Sequence, residues 1–205
     1  IKAIAALFFA AGLLSVVRPA MAIEQFDNQG IQFDEDTTID FEFLESHGAY
    51  TSNFGVMDLD TGEKIPLIVE TKPADLDDIV RRRSDYQDNT ENNKTNDFLG
   101  SPGNTVAQPF ASFAFKAGSR YVLYLESSYN NKPAGVVYSS NIQNPVQSQQ
   151  TKFVGDLAKL GNGGVILRWN DTGSQLVKEN YQDVDFDDFS IGVGGGVKCP
   201  EVSAN

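Results

Sequence analysis

Near the C-terminal end, Asp183-Val184-Asp185-Phe186-Asp187-Asp188-Phe189 gathers four carboxylates within six positions, interleaved with apolar side chains. Side chains alternate faces along a strand, so Asp183, Asp185 and Asp187 would project from one face. Phe186 and Phe189, three apart, cannot share a face of a regular strand, which predicts a bulge or turn near Asp187-Asp188. Carboxylates this crowded repel one another unless they are solvated, protonated or neutralised by a cation. A hard cation with several oxygen ligands meets that need, and Ca²⁺ suits a flexible acidic loop better than Mg²⁺. The segment is not an EF-hand loop, because it has no Gly at its sixth position and no Glu at its twelfth.

Other chemistry is sparse. His47, the only histidine, precedes Gly48 in an expected turn and reads as a surface residue rather than a base. Asp58 and Asp60 flank the expected turn Asp60-Thr61-Gly62-Glu63. Turn chemistry is the reading favoured there over a second ion site. A polysaccharide hydrolase would need one carboxylic acid and one carboxylate roughly 5 to 10 Å apart across a cleft. The aspartate cluster is too uniformly anionic for that division, and Glu45, Glu70 and Glu126 stand isolated in the sequence. There is no G-x-S-x-G, no C-x-x-C and no phosphate-cradling glycine loop. The sequence therefore predicts a non-catalytic protein, with the paired-carboxylate hydrolase as the alternative.

The elements that would hold the aspartates read as short strands. Thr38 to Glu45 alternates, with Ile39, Phe41 and Phe43 on one side and Asp40 and Glu42 on the other. Phe54 to Leu59 and Lys64 to Glu70 form a hairpin. Strand patterns resume at Phe110 to Phe115, Arg120 to Ser127 and Gly135 to Ser139, the last two joined by a turn at Asn130-Asn131-Lys132-Pro133. Thr151 to Leu157, Gly163 to Trp169 and Phe189 to Val193 complete the series. Short strands divided by Gly, Pro and Asn turns predict an all-β, jelly-roll-like β-sandwich with little helix. Residues 23–193 would form its single domain, 73–105 a long polar insertion loop, and 194–205 a flexible tail.

Lys2, the apolar run Ala3 to Val17 and the small-residue end Ala20-Met21-Ala22 match a secretory signal peptide over 1–22. The run is shorter than the roughly 20 residues that span a bilayer, so no membrane span is expected after cleavage. Loss of Lys2 and Arg18 with that segment takes the formal charge from -12 to -14. Such a surface repels nucleic acid and concentrates divalent cations. Cys199 is the only cysteine, which excludes an intramolecular disulfide. These features predict a secreted, extracellular or cell-surface protein, or a periplasmic one. Its expected partners are an extracellular glycan or a surface protein. Tyr129-Asn130-Asn131 and Tyr138 are candidate sugar-facing residues, although tyrosines of this kind more often pack in cores and strand edges.

Arg168-Trp169-Asn170-Asp171, followed by Asp183-Val184-Asp185-Phe186-Asp187-Asp188-Phe189, resembles the domain of unknown function 4114 family of secreted bacterial, especially cyanobacterial, proteins. The resemblance extends back through Phe115-Lys116-Ala117-Gly118, the strand Tyr121 to Glu126 and Ala134 to Ser139, and so spans Phe110 to Val193. Thr172 to Gln182, with Lys178 and Glu179, is longer than the Gly-rich link usual in that family. The resemblance implies an extracellular β-sandwich that binds calcium and has no established enzymatic activity. It implies Asp171, Asp183, Asp185, Asp187 and Asp188 as the ligands, with backbone carbonyls and water completing the six to eight oxygens that Ca²⁺ prefers.

Overall fold

A computed structural model describes residues 25–47, 50–73, 100–155, 164–171 and 184–195. The expected signal segment, most of the expected polar insertion (74–99) and Asp183 lie outside these residues. The architecture is an all-β sandwich of two antiparallel sheets. One sheet contains β1 (Gln25–Asp27), β2 (Gly30–Gln32), β4 (Thr51–Asp58), β5 (Lys64–Val69), β7 (Tyr121–Tyr129) and β8 (Lys132–Tyr138). Its order is β1-β2-β7-β4-β5, with β8 pairing the far end of β7. The other sheet runs β6 (Phe110–Phe115), β3 (Thr37–Ser46), β11 (Phe189–Gly195), β10 (Val165–Trp169) and β9 (Thr151–Gly155).

Alternating sequence places one face of each strand in the core. In β3, Ile39, Phe41 and Phe43 are buried while Asp40 and Glu42 face solvent. Phe41 of one sheet meets Phe54 of the other at 5.5 Å between ring centroids, and Phe54 meets Trp169 at 6.1 Å. These tilted and edge-on contacts suit the ring quadrupoles and lock the sheets together. Asn130 and Asn131 have φ of 49° and 59°, the left-handed pair a two-residue hairpin loop requires between β7 and β8. Gly55 sits at a register shift in β4, where a Cβ would lie 2.3 Å from the Ile65 carbonyl oxygen and 2.6 Å from Tyr124 Oη.

Two expected boundaries move. β11 does not dissolve after Val193: Gly194 and Gly195 pair with Asp40 and Ile39, because backbone groups extend the ladder without any side chain. The end of the polar insertion is likewise built into the domain. Gly100 bridges Ser46, Val106 bridges Glu70, and Thr105 and Val106 are buried.

Candidate functional site

The aspartates sit where β10 ends and β11 begins. Trp169 pairs with Phe189, so the residues after β10 lie beside those before β11. The Asp171 N–H donates to Asp188 Oδ2 at 2.9 Å, and the Phe186 N–H donates to Asn170 Oδ1 at 2.8 Å. The Asp187 N–H reaches Asp185 Oδ1 at 3.4 Å. Just past the end of β3, the His47 N–H donates to the Asp188 carbonyl at 2.9 Å, and the Asn170 N–H donates to the Gln150 carbonyl at 3.1 Å. The acidic segment is thereby tied to three strands of one sheet.

Residues 184–188 are not a strand, so no common strand face presents Asp185 and Asp187. The chain turns instead at Phe186, whose φ of 65° is left-handed, a costly conformation for a non-glycine residue. That turn reconciles the two aromatic positions: Phe186 and Phe189 are both buried. Lys152 Nζ of β9 lies 4.3 Å from the Phe186 ring centroid, a cation–π contact that holds the turn from outside.

The carboxylates are sequestered from solvent. Asp171 is 3 % exposed, Asp185 2 %, Asp187 6 % and Asp188 5 %. Withdrawing an ionised carboxylate from water costs several kcal/mol unless hydrogen bonds or opposite charge compensate. The donors are all oxygen, the chemistry a hard cation prefers over a soft one. They fit calcium in kind, though among the described residues no three acidic, histidine or cysteine side chains converge into a ready metal group. The described geometry brings Asp171 and Asp188 together and holds Asp185 and Asp187 on the same short turn.

His47 is a correction. It is 4 % exposed rather than at the surface, and its Nε2 lies 3.5 Å from Glu45 Oε2. A strand that ends with its final residues folded under the neighbouring turn buries a histidine that no alternation pattern marks. Glu70 corrects the expectation of isolation. It accepts from Ser46 Oγ at 2.5 Å and from the Ser52 N–H at 2.8 Å, with the Thr105 hydroxyl beside it. Burial raises its carboxyl from 4.5 to about 7, against the opposing effect of those donors. Glu126 likewise has a partner, Lys64 Nζ at 3.8 Å.

Asp58 and Asp60 serve the hairpin turn. Asp58 Oδ1 accepts from the N–H groups of Asp60 and Thr61, and Asp60 Oδ1 pairs with Arg120 at 2.7 Å. Asn170, the first residue of an Asn-x-Thr triplet in the sequence, is buried and accepts from the Phe186 N–H. Tyr138 is partly covered, with Lys64 Nζ 5.9 Å from its ring centroid, while Tyr129 is exposed and lies against Tyr50. Among the described residues no helix is long and apolar enough to cross a membrane. No protein-family model matches the chain, and neither a curated protein nor a solved structure matches it.

Proposed function

We propose that this chain is a non-catalytic, calcium-binding β-sandwich module that works outside the cell in surface attachment, matrix assembly or glycan contact. The observation that carries the reading is the burial of Asp171, Asp185, Asp187 and Asp188 within one turn and the strand end it is bonded to. Repulsion among them is relieved best by a divalent ion held on oxygen. Bound calcium supplies charge neutralisation and pins the start of β11, with Asp183, backbone carbonyls and water as further oxygen sources. The acidic charge, the apolar leader and the resemblance to the domain of unknown function 4114 family support an extracellular setting.

The hydrolase alternative would need an acid of raised pKa, and Glu70 has one. At 4 % exposure, with its carboxyl engaged by Ser46 and the Ser52 N–H, it is withheld from substrate. Calorimetric titration of Ca²⁺ into the wild-type chain, Asp185→Asn, Asp188→Asn and Asp60→Asn tests the reading. Saturable binding in the wild type and Asp60→Asn, lost in the other two, is expected. Absence of binding at millimolar calcium refutes it.

A further inference from the structure

The open face of the second sheet carries a groove that the aspartate turn does not use. Its floor is β11, the middle strand, where Gly192 and Gly194 occupy the outward positions in alternation with buried Ile191 and Val193. A Cβ at Gly194 would meet nothing within 4 Å, and one at Gly192 would make only ordinary contacts, the nearest at 3.5 Å with Leu44. Strand register fixes the walls. Glu42 and Asp40 of β3 lie beside Gly192 and Gly194, and Phe110 and Ser112 of β6 lie beside Glu42 and Asp40. The groove has a volume of about 280 Å³.

Its side chains have a mixed and specific chemistry. The Phe110 ring is 68 % exposed at one wall. Ser112 Oγ donates to Asp40 Oδ1 at 2.5 Å and so orients that carboxylate. Asp40 and Glu42, two apart on one strand, stand roughly 7 Å from each other along the wall. Further along the same face Arg168 of β10 lies beside Ser190, outside the groove lining.

We propose that this groove binds a neutral polyhydroxylated chain, a glycan segment of one or two sugar rings. Carboxylates accept strong, charge-assisted hydrogen bonds from hydroxyls. An exposed aromatic face receives the apolar C–H side of a sugar ring. A side-chain-free floor lets a flat ring approach the backbone, one recurring use of glycine inside a strand. The formal charge of -12 disfavours acidic glycans, and a polycation, drawn by the same two carboxylates, is the competing occupant that the test must separate. The inference rests on the reading of the chain as a binding module but not on calcium, since the groove and the aspartate turn share no residue.

Affinity electrophoresis of the full chain tests this, in gels cast with amylose, dextran, galactomannan, hydroxyethyl cellulose, alginate or polylysine, with calcium and with chelator. At least one neutral polysaccharide retards the wild type. Phe110→Ala and Glu42→Ala each weaken that retardation about tenfold, the size of one lost specific contact. Gly194→Val fills the groove and abolishes retardation while melting at or above the wild-type temperature, which separates loss of the site from loss of the fold. The proposal is overturned if no neutral polysaccharide retards the chain, if alginate or polylysine binds instead, or if Gly194→Val is still retarded. Asp185→Asn, which should lose calcium binding, retains glycan retardation. Retardation lost in Asp185→Asn but kept in the groove variants overturns the groove and leaves the calcium reading intact. Absent calcium binding with groove-dependent retardation does the reverse.

Discussion

Replacing Glu70 by Gln should remove a pH dependence that the fold builds into this domain. Glu70 ionises near 4.5 when exposed and near 7 when buried between Ser46, Ser52 and Thr105. Between those values the folded state holds a proton that the unfolded chain has released. Stability from this group is therefore fully present below pH 4.5, falls as pH rises toward 7 and is flat above. The difference is about 2.5 pKa units, worth on the order of 3 kcal/mol. Gln keeps the shape, can accept from the Ser52 N–H and can donate to Ser46 Oγ, but it cannot ionise. Glu70→Gln should thus match the wild type at pH 4.5 and exceed it at pH 8 by roughly 3 kcal/mol, or on the order of 6–12 °C in Tm for a domain of this size. Urea and thermal unfolding of both proteins from pH 4 to 8 give the comparison. Titration of the other acidic residues is common to the pair and cancels in the difference. Parallel curves across this range, or a variant less stable at pH 8, would refute the reasoning.

Three further perturbations follow from the packing. Phe54→Ala removes the ring that bridges Phe41 and Trp169 across the sheets and should cost about 3–5 kcal/mol in urea unfolding. Asn144→Ala deletes an amide that accepts from the Tyr138 N–H and donates to the carbonyls of Tyr138, Ser140 and Ser148. It should cost roughly 2–4 kcal/mol and speed hydrogen exchange at Tyr138, each lost bond being worth about 1 kcal/mol. Asp60→Ala breaks only an exposed pair with Arg120 and should leave the melting temperature unchanged within error.

Strand positions were legible because a half-buried strand writes its geometry into a two-residue period. β3 shows this most plainly, its alternation Ile39, Phe41, Phe43 against Asp40, Glu42 reappearing as buried against exposed. Asn130-Asn131 was legible for a second reason: few residues other than Asn and Gly tolerate consecutive left-handed conformations. The turn between Asp185 and Phe189 followed from the awkward spacing of two phenylalanines. What alternation does not encode is what meets at strand ends. Glu70 finds Ser46 across 24 residues and His47 meets Asp188 across the sheet, contacts set by register and loop closure rather than by any local pattern. The groove over Gly192 and Gly194 was hidden likewise. Glycines near a chain end read as a loose tail until their pairing with β3 is known.

The central claim is that the buried aspartates ahead of β11 share a calcium ion, and thermal unfolding with and without calcium tests it most directly. A ligand that binds only the folded state at 100 times its Kd adds about 2.7 kcal/mol, on the order of 5–10 °C here. The wild type should gain such a shift with calcium and lose it with chelator. Asp185→Asn should show no shift, yet melt at or above the wild type in chelator because one repelling charge is gone. A wild type indifferent to calcium, or an Asp185→Asn protein that still gains the full shift, would contradict the account.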